Sequence, residues 1–310
     1  MKKVLLTFTV SCIVILLNAQ VSKSLQLTAG TLSTTLSADE LATVTNLTLS
    51  GTIDARDFLT MRNKMPKLNS IDLNETIISP YSGKLGTLGP GNTYDYPANT
   101  IPSNAFYNNS TGKYLLYFQF PKTLTAIGDY AFNNCGIIEI TIPSTVTSIG
   151  KYAFYICGLN KILINSTNIT IGDYAFGYNG INEIDIISMT PPIASPSSFI
   201  GIYLPQIFLY VPFGAKSAYE QADVWYNFYN IIEVLNLDVK SVISSNLKVA
   251  ITNKQITIVG YKIGETLTVI TANGSIILNQ KTYNNSVTIN VPTNGIYFIR
   301  VGEQSIKVSI

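Results

Sequence analysis

The sequence predicts a mainly β chain: stacked strand-and-turn rungs with short helical ends, then a small antiparallel β unit. Three observations predict it. A hexapeptide returns at a constant 22-residue step. Apolar residues alternate with polar ones between its copies, as in half-buried strands. Charged residues make up 12% of the 310-residue chain against 46% hydrophobic, about half the charge of an ordinary globular domain. Asn, Thr, Ser and Tyr cover the surface instead, which suits an extracellular β-rich protein.

The N-terminal residues 1–19 read as a secretory signal, with basic Lys2 and Lys3, an apolar run Val4–Leu17 and a small-residue site Leu17-Asn18-Ala19 before Gln20. A membrane anchor competes with this reading but asks for about 20 apolar residues. A lipidated Cys12 fits less well, because the apolar run continues past it. Residues 20–235 then form the repeat domain. Ser37-Ala38-Asp39-Glu40 predicts a capping box opening a short helix. Asp54–Lys64 predicts a second helix, stopped by Pro66. Residues 79–100, rich in Gly, Pro and Tyr, interrupt the period and read as an inserted loop.

The repeat itself is Ile127-Gly128-Asp129-Tyr130-Ala131-Phe132, returning at Ile149–Phe154 and Ile171–Phe176 in exact 22-residue steps. A weaker copy, Ile101–Phe106, precedes them by 26 residues, and a degenerate one ends at Ser198-Phe199. A strand keeps the same step: Ile137, Ile140 and Ile142; Leu159, Ile162 and Ile164; Ile181, Ile184 and Ile186. Leu115, Phe118 and Phe120 fit upstream, as do Leu68, Ile71 and Leu73. One rung cannot bury its own apolar edge, so stacking must supply the core. The alanine beside each phenylalanine predicts close rung-to-rung packing. The glycine of Ile-Gly predicts a bend out of the preceding strand. Asn133–Gly136 and Tyr155–Gly158 predict the turns into the strands. Leu209–Pro212 and Lys216–Asn227 predict a closing strand and helix, with Trp225, Phe228 and Tyr229 over the last rung.

With Ile142-Pro143, Cys157 and Ile149–Phe154 in place, these rungs resemble the BspA-type leucine-rich repeats of bacterial surface proteins, whose consensus runs close to I-G-x-x-A-F-x-x-C-x-x-L-x-x-I-x-I-P. Pro121 and Pro212 also fit, whereas Asn165 stands where a proline is expected. The resemblance covers about residues 30–235 and is poorest at 79–100. It implies a leucine-rich repeat solenoid with short helical caps.

Composition changes near Asn236. Residues 236–246 read as a linker, and 247–310 as about seven short strands forming a small antiparallel β-sandwich, with Asn273-Gly274 and Pro292–Gly295 as turns. Gly295-Ile296-Tyr297 followed by Lys307-Val308 is similar to the C-terminal type A sorting domains of type IX secretion. That resemblance implies passage across an outer membrane by the secretion machinery, with the tail often removed and the protein released or attached to surface glycolipid. Gly295, Tyr297 and Lys307 are the positions it carries over. The same residues also fit plainer roles: a turn glycine, a hairpin-packing tyrosine and a solvated edge charge.

Removing Lys2 and Lys3 leaves 18 basic against 18 acidic residues, so no basic field draws nucleic acid. The two segments differ in sign, at −4 for residues 20–247 and +4 for 248–310. The chain has no histidine. That removes triad chemistry and His-based zinc sites, and no catalytic residue, cofactor or metal is expected. Cys135 and Cys157 should stack on adjacent rungs, either paired or, more in keeping with parallel side chains, as small buried hydrophobes.

The strand faces are the candidate site. Tyr117, Glu139, Lys161, Glu183 and Phe208 form one outward column, beginning with Ser70. Gln119, Thr141, Leu163, Asp185 and Tyr210 form the second, beginning with Asp72. Tyr117, Phe208 and Tyr210 would be the anchors of a concave binding face. A solvated, self-neutralised face is the plainer reading. Glu183 and Asp185 are the nearest approach to a carboxylate pair, without a cleft for glycosidase chemistry. The expected function is therefore a secreted or cell-surface repeat protein that binds or adheres to an extracellular protein. A surface glycan-binding or glycan-processing protein, favoured by the tyrosines of 79–100, and a non-binding spacer are the alternatives.

Overall fold

The computed structural model describes residues 20–108, 115–212, 214–234, 248–252, 254–261, 263–271, 275–284, 286–293, 295–301 and 304–309. The predicted signal peptide, the 236–246 linker and the Asn273-Gly274 turn lie outside the described residues.

The described residues begin with β1 (Ser22–Leu27), α1 (Leu32–Thr35), α2 (Ala38–Thr43), β2 (Asn46–Ile53), α3 (Ala55–Lys64) and β3 (Ser70–Ile78). The capping box before α2 is present, with Glu40 N donating to Ser37 Oγ at 3.2 Å and Ser37 N to Glu40 Oε2 at 2.9 Å. Asp54 caps α3, where Asp57 is fully buried and accepts from the backbone N–H groups of Gly30, Leu32 and Asp54 at 2.7–2.9 Å. One carboxylate thereby fastens the loop before α1 to the start of α3. Residues 79–100 are more than a loop, because they contain the hairpin β4 (Tyr81–Gly83) and β5 (Tyr94–Tyr96).

From there each rung supplies a short strand and a face strand: β6 (Thr100–Ile101) and β7 (Tyr117–Gln119), β8 (Ala126–Ile127) and β9 (Glu139–Ile142), β10 (Ser148–Ile149) and β11 (Lys161–Ile164), β12 (Thr170–Ile171) and β13 (Glu183–Ile186), β14 (Ile193–Ala194) and β15 (Phe208–Pro212). The short strands form one parallel sheet, β14-β12-β10-β8-β6. The face strands form two parallel sets, β1-β2-β3-β7 and β9-β11-β13-β15, with no ladder joining β7 to β9 among the described residues. Ile140, Ile162 and Ile184 meet in register, as do Ile142, Ile164 and Ile186. All are buried, and between the two sheets run Phe106, Phe132, Phe154, Phe176 and Phe199, with centroids 5.1–5.6 Å apart.

The repeated glycines act differently from expectation. Gly128, Gly150 and Gly172 do not have positive φ. They are small because rungs touch there: a Cβ on Gly150 would lie 2.6 Å from Asp129 N and 2.8 Å from Gly128 C. The bend falls on the tyrosines instead, with φ of 56°, 56° and 58° at Tyr130, Tyr152 and Tyr174. Left-handed backbone costs a non-glycine residue about 1–2 kcal/mol. Stacking offsets much of that, since Tyr152 lies 4.8 Å from Tyr130 and 4.6 Å from Tyr174 with nearly parallel rings, and such pairs contribute about 0.5–1.5 kcal/mol beyond burial. Ala131, Ala153 and Ala175 have no exposed surface, as close packing predicts.

Beyond β15 come α4 (Lys216–Gln221) and a further parallel strand, β16 (Asn230–Val234), so β15 is not the last. Trp225 and Phe228 cover Phe199 at 5.8 Å, as expected, but Tyr229 is 76% exposed. Tyr219 takes its place in the cap, fully buried, its hydroxyl donating to Ser188 O at 2.9 Å.

Among the described residues the C-terminal unit has seven strands: β17 (Lys248–Thr252), β18 (Gln255–Val259), β19 (Thr266–Thr271), β20 (Ile276–Lys281), β21 (Ser286–Asn290), β22 (Ile296–Val301) and β23 (Gln304–Ser309). They pair antiparallel as β21-β18-β17 and β20-β19-β22-β23 and share one apolar cluster that includes Ile256, Leu267, Tyr297 and Ile299. The first set is not free-standing: β17 pairs with β16 at Val234↔Ala250, extending the face sheet to eight strands.

Candidate functional site

The two predicted columns are held in register by ladders in two stretches, Ser70 and Asp72 to β7 and then β9 to β15, with no ladder joining β7 to β9 among the described residues. Ser70 pairs with Tyr117 and Asp72 with Gln119. Lys161 sits between Glu139 and Glu183, and Leu163 between Thr141 and Asp185. Glu183 pairs with Phe208, and Asp185 with Tyr210. The columns are not evenly open. Tyr117 and Phe208 are 52% and 47% exposed, and Glu139 and Thr141 are exposed too. Gln119 is half-buried and accepts from the Tyr117 hydroxyl at 3.2 Å. Leu163, Asp185 and Tyr210 are buried, at 4–5% exposure. Tyr210 therefore cannot be the solvent-facing anchor that strand alternation predicts.

Against two of these three, Asp185 and Tyr210, lies a group that sequence reasoning did not place here. Lys248, the first residue of β17, lies over the Tyr210 ring with Nζ 3.8 Å from its centroid. The same ammonium donates to Asp185 Oδ1 at 2.8 Å and pairs with Glu183 Oε1. Lys161 reaches the same carboxylates, at 2.6 Å from Glu183 and 3.4 Å from Asp185. The expected alternation of Glu139, Lys161 and Glu183 thus resolves toward Glu183, not Glu139. Two carboxylates and two ammonium groups form a neutral cluster. Burial raises the Glu183 pKa, but Lys248 and Lys161 outweigh it and hold the carboxyl below its ordinary value. Burial wins at Asp185, whose pKa is raised. Burial also disfavours charge on Lys161, yet Asp185 and Glu183 leave its pKa raised. Lys248 has no partner visible in the sequence, because Glu183 precedes it by 65 residues. The one available signal was Leu163, an apolar residue in a column otherwise set outward.

The other candidates resolve individually. Cys135 and Cys157 are buried, and no disulfide joins them. The Cys157 thiol donates to Phe132 O at 2.8 Å, and burial pushes its pKa up to about 12. Asn179 continues this column one rung on: its amide donates to Phe154 O, and its oxygen accepts from Cys157 N and Leu159 N. Asn165, in the proline position, uses the N–H a proline lacks to bond Ile142 O at 3.0 Å. Tyr297 is buried, and its hydroxyl bonds Thr293 O at 2.5 Å. At Gly295 a Cβ would meet nothing within 4 Å, so close packing does not require the glycine. Lys307 pairs with Phe298 along the backbone, and its side chain lies outside what is described.

Of the tyrosines of 79–100, Tyr94 is half-buried and the other two pack together. Tyr96 is buried, Tyr81 stacks on it at 5.9 Å, and the Arg56 guanidinium lies 4.8 Å over Tyr81. These ring faces are already occupied, which weakens the case for sugar stacking. A cavity of about 400 Å³ lies between α3, this insertion and the first rung, bordered by Arg62, Leu88 and Phe106. Arg62 there donates to Thr87 O at 3.0 Å and Asn104 O at 2.5 Å, tying the insertion to the rung. Among the described residues no cluster of His, Cys, Asp or Glu could hold a metal ion. No helix among them is long and apolar enough to cross a membrane.

Residues 99–207 match the BspA type leucine rich repeat region in six copies, the same stretch in which the rungs stack in register. No curated protein matches the sequence.

Proposed function

We propose that this chain is a secreted or cell-surface leucine-rich repeat protein that captures an extracellular protein on the open stretch of its strand face, by binding and not by catalysis. On this reading the stacked rungs are a solenoid, with the helices and the Trp225 end as caps. The observation that carries it is that Tyr117 and Phe208 stay about half exposed, each on a strand whose backbone is fixed by parallel ladders, one in each of the two face sheets. Rigid aromatic side chains bind at low entropic cost and are enriched at interface anchors. The repeat match at residues 99–207 supports a protein-binding or surface role. The absence of histidine from the whole sequence supports a non-enzymatic one. In this reading residues 247–310 are the sorting β-sandwich that follows the residue 1–19 signal, delivering the protein to the outer surface.

The test is capture of a panel of purified extracellular matrix proteins by the full chain and by a Tyr117→Ala/Phe208→Ala variant. Loss of an anchor typically costs at least about 2 kcal/mol, so binding should weaken by more than about tenfold with an unchanged circular dichroism spectrum. Equal capture by the folded variant would remove the face from consideration. Delivery is tested separately: without residues 236–310 the protein should stay within the envelope, and normal surface display would sink the sorting reading.

A further inference from the structure

Strand alternation gives Leu163, Asp185 and Tyr210 the same outward direction as Thr141, which is exposed, yet all three are buried. Lys248 reaches the face against two of the three, Asp185 and Tyr210. Its ammonium is met by an Asp185 oxygen, a Glu183 oxygen and the π-face of Tyr210. A carboxylate pair beside an aromatic ring is a favourable setting for a desolvated ammonium. The strip also needs one. Without Lys248, Lys161 alone would face two carboxylates, and Asp185 would be left buried and undercompensated. Buried charge without its partner is strongly unfavourable. The backbone link between the repeat rungs and the C-terminal unit is slight by comparison among the described residues, a single bridge at Val234↔Ala250.

We propose that Lys248 is a latch, closing the Leu163–Asp185–Tyr210 strip of the face with the chain's own C-terminal unit while Phe208 beside it stays open, and that the strip it closes is a seat for a primary ammonium group. A lysine side chain on a partner would then compete with Lys248 for this seat. That consequence rests on the reading of the face as a binding surface; the latch and its seat do not.

Hydroxyl-radical footprinting of the full chain, read by mass spectrometry, tests both without any partner. In the unaltered protein Tyr210 should label several-fold more slowly than exposed Tyr229 and Phe208. Lys248→Ala should raise Tyr210 labelling several-fold while Trp225, in the core, stays protected. Titrated n-propylammonium chloride should restore protection of Tyr210 in that variant saturably, and sodium chloride at equal ionic strength should not. Continued protection of Tyr210 in the folded variant overturns the latch, and equal restoration by sodium overturns the ammonium seat. Should Trp225 label as well, the variant has lost its core, and acetylation of the unaltered protein decides instead. Lys248 should react several-fold more slowly than Lys122, whose side chain is 64% exposed, and equal rates overturn the proposal.

Discussion

At the scale of single residues, the repeat uses glycine and alanine for room. Gly150 illustrates this, since the atoms nearest its missing Cβ include the backbone of the rung below. Backbone cannot swing aside as a side chain can, so Gly150→Ala must push adjacent rungs away from each other. Over-packing of this kind costs about 1–3 kcal/mol, and the thermal midpoint of the repeat domain should fall by several degrees. Gly180→Ala is the control, because nothing lies within 4 Å of its added methyl. Equal midpoints for the two variants would mean that the Ile-Gly glycine serves some other purpose. The residue that the sequence concealed is the tyrosine beside it. Ile-Gly-x-Tyr suggests the glycine as the flexible point, yet the positive φ sits on Tyr130, Tyr152 and Tyr174. Their stacking only becomes evident once the 22-residue step is known to bring the rings within 5 Å of each other.

At the scale of elements, what was legible was whatever is decided locally. The capping box at Ser37 and the bounds of α3 follow from adjacent side chains and from Pro66, and both are present. The face strands follow from alternation at a constant step. Elements fixed from a distance were not legible: the β4–β5 hairpin, Tyr219 in the cap, and β16 beyond the expected last strand. Asp57 joins the two classes. It completes the cap of α3 locally and accepts from Gly30 and Leu32 across the fold. Asp57→Ala would leave three backbone N–H groups without their acceptor, at about 1–3 kcal/mol for each that stays buried. Hydrogen exchange at Gly30 and Leu32 should accelerate strongly, while amides of β11 and β13 stay protected. Unchanged exchange at Gly30 and Leu32 would show that this carboxylate does not hold the N-terminal end.

At the scale of the whole molecule, the face was legible as a set of columns but not as a set of open residues. Lys248 lies against two of its buried residues, Asp185 and Tyr210, and nothing near Lys248 in the sequence points toward Glu183. The two apolar clusters share no residue: one includes Leu27 through Ile231, the other Val249 through Val308. Each can lose its packing without emptying the other. Links across the described residues include the Val234↔Ala250 bridge, the Lys248 ion cluster and the Lys248 ammonium over the Tyr210 ring. Cooperativity between units follows from the free energy of their shared contacts, and one lysine makes most of those named here. Calorimetry of the full chain should therefore resolve two transitions, one for each cluster. Lys248→Ala should move them further apart by removing the stabilisation that each unit lends the other. If the chain instead melts in one transition that the substitution leaves intact, the units are coupled by something stronger than this latch. The face end at Leu163, Asp185 and Tyr210 would then be a permanent interior, not a surface held shut.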